Sequence, residues 1–177
     1  MTRSDDGTTP RVAPNVDSSA VGPSLSTRPH VAKADLGPRC AYSEPTVCEL
    51  ADTTLAPLAA RDFVRRTTCP HHPTDVEDAC LLVTEVVTNA LRYGEPPVVV
   101  ECQCVTDAVV FDVSDAGSSY APIVLDPAPD DAEAGRGLAI VDGLALGWGV
   151  DDHPHDGKSV WFALDADGTR APSDPPA

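Results

Sequence analysis

The feature that most limits how this chain can fold is a single helical stripe in its middle. Val76, Cys80, Val83, Val87, Ala90 and Leu91 recur at three- and four-residue spacing, which places them on one side of an α-helix. A stripe of that width must be buried against another element. Its start reads as a T-x-x-E capping box, Thr74 with Glu77, in which each side chain satisfies the other's end-turn backbone N–H. Its end reads as Gly94 in the left-handed C-terminal position, with Pro96 and Pro97 preventing continuation. The same helix carries Glu85 and Asn89 one turn apart on one edge, within "TEVVTNALRYG". A carboxylate beside Val86 and Val87 is poorly placed for a core, so this edge calls for another explanation.

The elements around the stripe define the fold class. "TVCELA" (Thr46 to Ala51) alternates like a short strand. "TLAPLAARDFVRRT" follows with the helical rhythm of Leu55, Leu58, Ala59, Asp62, Phe63 and Arg66. After the stripe, "VVVECQCV" and "AVVFDVSD" read as strands joined by a tight turn at Thr106 and Asp107. Residues 116–135 hold three prolines and four acids with no regular pattern, which marks a candidate lid. "GRGLAIVDGLA" then starts a helix from glycines, and "LGWGV" and "KSVWFALD" close the unit as strands. The order predicts an α+β, two-layer sandwich: a mostly antiparallel sheet with helices on one face. Residues 1–45, rich in Pro, Ser, Asp and Gly, read as a disordered arm, 46–165 as the domain, and 166–177 as a disordered tail.

Composition removes several function classes. Twelve Lys plus Arg against 28 Asp plus Glu give a net charge of −16, which repels nucleic acid and anionic membrane. No run of 18 apolar residues exists and the N-terminus lacks the apolar region of a secretory signal, so the cytosol is expected. Six cysteines without such a signal are expected to be reduced. Cys102 and Cys104 alternate within one strand and so share a face. Cys69, His71, His72 and Cys80 invite a zinc reading, but no CxxC pair occurs and the spacing matches no common zinc pattern.

Three polar spots carry the candidate chemistry. Asn89 offers a neutral carbonyl oxygen of the kind magnesium accepts when phosphates complete its shell. Glu85, one turn earlier, lies close enough to act on a hydroxyl near that ion, and Arg92 adds a cationic fork for phosphate oxygens. Asp115 ends an apolar strand, where its carboxylate can accept from an exocyclic amine such as adenine's, and Gly117 lets a flat ring approach the backbone. Gly135-Arg136-Gly137-Leu138 opens a helix whose unsatisfied N–H groups accept anions. Each spot alone is also what a solvated helix edge, a strand-ending turn or a hinge shows. No Walker A loop occurs, nor a G-x-G-x-x-G after a strand.

Taken in this order, the three spots resemble the GHKL ATPase superfamily, whose nucleotide site is the Bergerat fold. "EVVTNALRYG" is similar to its N-box, "DVSDAG" to its first glycine box, "GRGLAIV" to its second, and "GKSVWFAL" to its last strand. The resemblance runs from about Val47 to Leu164 and is strongest to the small bacterial anti-sigma-factor serine kinases. It implies that Asn89 holds Mg2+, that Glu85 orients or deprotonates the attacking hydroxyl, and that Arg92 and Tyr93 line the phosphates of ATP. It further implies that Asp115 binds the adenine amine with Gly117 beneath the ring. Gly135, Arg136, Gly137 and Leu138 would close over the phosphates, and Ser159 would help hold Asp115. Two departures stand out: "AGSSYAP" lacks a second glycine, and Tyr93 stands where many members have His.

The resemblance implies an ATP-dependent protein serine/threonine kinase that is also an anti-sigma factor, with a sigma factor and a small antagonist protein as partners. Dimerisation is common among such relatives, although no heptad or apolar patch here specifies a homodimer. Histidine-kinase activity is not expected, because a Pro-rich arm rather than a helical hairpin with a phospho-accepting His precedes the domain. The alternative is a regulatory module that binds ATP and acts by sequestering its partner without turnover. A third reading makes the motifs accidental and predicts no nucleotide affinity at all.

Overall fold

The computed structural model describes residues 31–41, 44–67, 74–117, 136–153 and 157–166. The elements are β1 (Thr46–Leu50), α1 (Ala56–Arg66), α2 (Val76–Tyr93), β2 (Val98–Cys104), β3 (Ala108–Asp115), α3 (Arg136–Leu144), β4 (Gly147–His153) and β5 (Gly157–Asp165). The strands form one sheet in the order β1-β2-β3-β5-β4, with every neighbouring pair antiparallel. The expected α+β sandwich is therefore the fold.

Strand alternation divides the sheet into two faces. On the helix face, Val100, Cys102, Phe111, Val113, Val160 and Phe162 meet Phe63, Val83, Val86 and Val87 in the main core. Phe111 and Phe162 are paired across β3 and β5 and stack with centroids 5.2 Å apart. Cys102 and Cys104 are both buried on this face, as their alternation predicts. Trp148 on β4 donates through its indole N–H to Asp142 of α3 at 2.9 Å, in the buried layer, and so fixes α3 to the sheet.

The opposite face is covered by residues that the composition assigned to a disordered arm. Leu36 is buried with Val105, Val110, Trp161 and Ala163. The Val31 N–H donates to Leu146 O, and Arg39 bridges to Val105. Lys33 reaches Asp112 at 2.8 Å and Asp151 at 2.6 Å while its ammonium lies over the Trp161 ring. Burial lowers the Lys33 pKa, but the two carboxylate bonds outweigh it and leave the group above its ordinary value. Residues 31–41 thus belong to the folded unit, because Pro-rich composition hides one well-paired lysine and one buried leucine. Residues 1–30 lie outside the described residues.

Both expected ends of α2 differ from the sequence reading. The N-cap is Asp75, whose Oδ1 accepts from the N–H groups of Glu77 at 2.9 Å and Asp78 at 3.1 Å. Thr74 Oγ1 is buried with no partner among the described residues. Gly94 has φ −102°, an extended rather than left-handed conformation. Its small size answers a steric need described below.

Candidate functional site

The site is built along the second half of α2. Its core face carries Val83, Val86, Val87 and Ala90, all buried. Glu85 and Asn89 lie beside that face and are half-buried, whereas Arg92 and Tyr93 are exposed. Asn89 sits four residues beyond Glu85 and five before Gly94, so the axial steps are about 6 Å and 7.5 Å.

At the Glu85 end, α2 meets the start of α3. A methyl group built on Gly137 would fall 2.5 Å from Glu85 Oε2, so the carboxylate rests directly on the first turn of α3. Those first N–H groups have no intrahelical acceptor, and the helix dipole favours negative charge there. A carboxylate and a ready anion-binding turn therefore share one spot. Leu138 is buried in the core, so what it can offer toward a ligand is its backbone N–H. Gly135, residues 118–134, which include most of the expected lid, and the side chain of Arg136 lie outside the described residues.

At the other end, β3 delivers Asp115 against the exit of α2. Any side chain at Gly94 would strike the Asp115 carboxylate, which explains the glycine without positive φ. The Ala116 N–H donates to Glu95 O at 2.8 Å and ties the strand end to the helix end. The Asp115 Oδ1 accepts from the Gly117 N–H at 2.9 Å, closing the Asp-x-Gly turn around the carboxylate. Asp115 is accordingly held against the C-terminal end of α2, the half of the helix that also carries Asn89.

Ser159 is not the partner of Asp115. In the β3–β5 register Asp115 faces Lys158, and Ser159 faces Ser114 on the other side of the sheet. Ser159 Oγ instead lies 3.2 Å from His153 Nε2. The Lys158 ammonium donates to Asp115, 3.2 Å from Oδ1 and 3.1 Å from Oδ2, with side-chain exposures of only 5% and 3%. Gly157 makes this pairing possible: it has φ +95°, and a side chain there would run into the Asp115 and Ala116 backbone. The sequence reading missed Lys158. Strand parity fixes which residue meets Asp115, but only once the register is known.

The donor set fits a magnesium nucleotide. Among the described residues no group of three His, Cys, Asp or Glu could hold a metal by itself, so a cation here would rely on one amide oxygen and the substrate's phosphates. A buried carboxylate at one end and a helix N-terminus at the other match a purine and an anionic chain in polarity. The zinc reading is only partly covered, because Cys69, His71 and His72 lie outside the described residues. Cys80 is buried, which pushes its thiol pKa up and makes it a poor nucleophile. No helix among the described residues is long and apolar enough to cross a membrane.

Comparison with known proteins agrees with this geometry. Residues 48–163, well over half of the chain, match the family model described as a histidine kinase-like ATPase domain. A search of curated proteins gave no match.

Proposed function

This chain belongs to the histidine kinase-like ATPase domain family, and on that footing we propose that it is an ATP-dependent protein serine/threonine kinase that also acts as an anti-sigma factor. The observation that carries the reading is the alignment along α2. Glu85 lies on the α3 N-terminus, Asp115 lies against Gly94, and Asn89 lies between them. Glu85 and Gly94 are nine residues apart, about 13 Å along the helix axis, a span that suits an extended nucleoside triphosphate.

In this reading Asp115 accepts from the 6-amino group of adenine and the Gly117 turn leaves room for the ring. The first N–H groups of α3, with the exposed Arg92 and Tyr93, bind the phosphate chain of the substrate ATP. Asn89 would supply the oxygen ligand to Mg2+, which neutralises triphosphate charge when bound. Glu85 holds the acceptor serine hydroxyl and takes its proton as the new oxygen–phosphorus bond forms and the bond to ADP breaks. Most of the rate enhancement then comes from positioning. The acceptor serine lies on a small antagonist protein, and its phosphorylation controls release of a sigma factor held by this chain.

The test uses γ-labelled ATP, Mg2+ and candidate antagonist proteins. Phosphoserine formed by the native chain and lost in Glu85→Gln supports the kinase. Nucleotide binding with no transfer to any acceptor would replace it with the regulatory module that acts by sequestration alone.

A further inference from the structure

We propose that Lys158 reads the nucleobase: its ammonium donates to ring nitrogen N1 of adenine while Asp115 accepts from the adjacent 6-amino group. This rests on the nucleotide-site reading above and adds a second base-contacting residue to it.

The argument is one of unused hydrogen-bonding capacity. An ammonium has three donors and a carboxylate about four acceptor positions. Among the described residues, Asp115 Oδ1 is engaged by the Gly117 N–H and by Lys158, and Oδ2 by Lys158. Lys158 lies 3.1–3.2 Å from both oxygens, so at most two of its N–H groups are aimed at them. One donor and one acceptor therefore remain side by side, both on groups that are 4% exposed. A buried ammonium is costly with only a single carboxylate to compensate it, so a further acceptor there is favourable.

The location makes that acceptor a ligand atom. Lys158 and Asp115 are the end pair of the β3–β5 ladder, and on its other side Lys158 is paired with the exposed Asp152 of β4. Gly94 and Gly157 let α2 and β5 close tightly around the carboxylate. Adenine carries a donor, the 6-amino group, directly beside an acceptor, N1. That order complements a carboxylate beside an ammonium. In the same pose guanine presents an acceptor, O6, to the carboxylate and a donor, N1–H, to the ammonium, so both contacts fail and GTP is the informative competitor.

The experiment measures binding of ATP, 1-deaza-ATP (N1 replaced by C–H) and GTP to the full chain and to Lys158→Met. A hydrogen bond from a charged donor predicts that the native chain binds 1-deaza-ATP roughly 10- to 100-fold more weakly than ATP. Lys158→Met should bind ATP more weakly and no longer tell the two apart, while still discriminating against a triphosphate that lacks the 6-amino group. Equal affinity of the native chain for ATP and 1-deaza-ATP overturns the proposal. So does discrimination that survives in Lys158→Met, or GTP binding as tight as ATP.

Should Lys158→Met fail to fold, the native chain supplies a second readout. Lys33 and Lys158 are its only lysines, so 15N-lysine labelling gives two side-chain signals. ATP should shift the Lys158 signal strongly and leave Lys33 in place, and 1-deaza-ATP should not reproduce the shift. A Lys158 signal unmoved at saturating ATP overturns the assignment. Absence of any ATP binding removes the nucleotide site itself, whereas ATP binding without discrimination at N1 removes only the role of Lys158.

Discussion

The chain's two lysines both pair with aspartates of β3, one on each face of the sheet, and they serve opposite ends. Lys33 is about a third exposed, has two carboxylates and an aromatic ring around it, and fastens residues 31–41 to the face away from the helices. Lys158 is buried with one carboxylate at the end of the ladder, where α2, β3 and β5 converge. The first arrangement is electrostatically over-supplied and tolerant of water. The second is under-supplied and dry, which is costly for a latch but suited to a binding site. What separates structure from function here is thus the number of partners left over, not the chemistry of the pair.

The largest expected effect comes from breaking the dry pair. Lys158→Met leaves a buried, unpaired carboxylate and should cost about 3–5 kcal/mol in denaturant unfolding. Removing both charges, with Asp115→Asn and Lys158→Met together, should recover much of that loss. A single variant that unfolds like the native chain would show that the pair is not buried as described. Next, Gly137→Ala pushes the Glu85 carboxylate off the first turn of α3. It should reduce phosphoryl transfer roughly tenfold or more, a difference of at least about 1.4 kcal/mol in barrier height. Stability should change little, because the displaced atom ends a flexible side chain. Unchanged turnover would separate Glu85 from the α3 terminus functionally.

Smaller effects belong to the wet pair. Lys33→Met should cost about 1 kcal/mol after solvent screening and leave ATP affinity unaltered. Its pH dependence follows from the raised Lys33 pKa. A raised folded-state value means the stabilisation is complete below the ordinary 10.5 and is lost as pH climbs through the folded-state value. The stability gap between the native chain and Lys33→Met should therefore stay flat through neutral pH and close in strong alkali. A gap that stays open through strong alkali would mean that the lysine's own proton is not linked to folding.

The sequence carried the fold because each element is periodic: the α2 stripe, the alternating strands and the proline stop at Pro96 are all local signals. The N-box acid and amide and the strand-ending Asp115 were legible for the same reason, since each breaks an apolar pattern. What could not be read depended on pairing. In "KSVWFALD" both alternate sets are largely apolar, so nothing local tells that Lys158 rather than Ser159 shares a face with Asp115. At the start of α2, Thr74 and Asp75 each have an acid three residues on, and propensity does not choose between them. Gly94 follows a helix, which suggests a left-handed cap. Its reason is the Asp115 carboxylate, brought from 21 positions away by the sheet.

The central claim is that the second half of α2 and the end of β3 form one nucleotide site, and calorimetric titration with ATP, with and without Mg2+, tests it most directly. The native chain should bind ATP more tightly with Mg2+, Asn89→Ala should lose that dependence, and Asp115→Asn should lose most of the affinity. ATP binding that both substitutions leave untouched, or no binding with or without the metal, would contradict it.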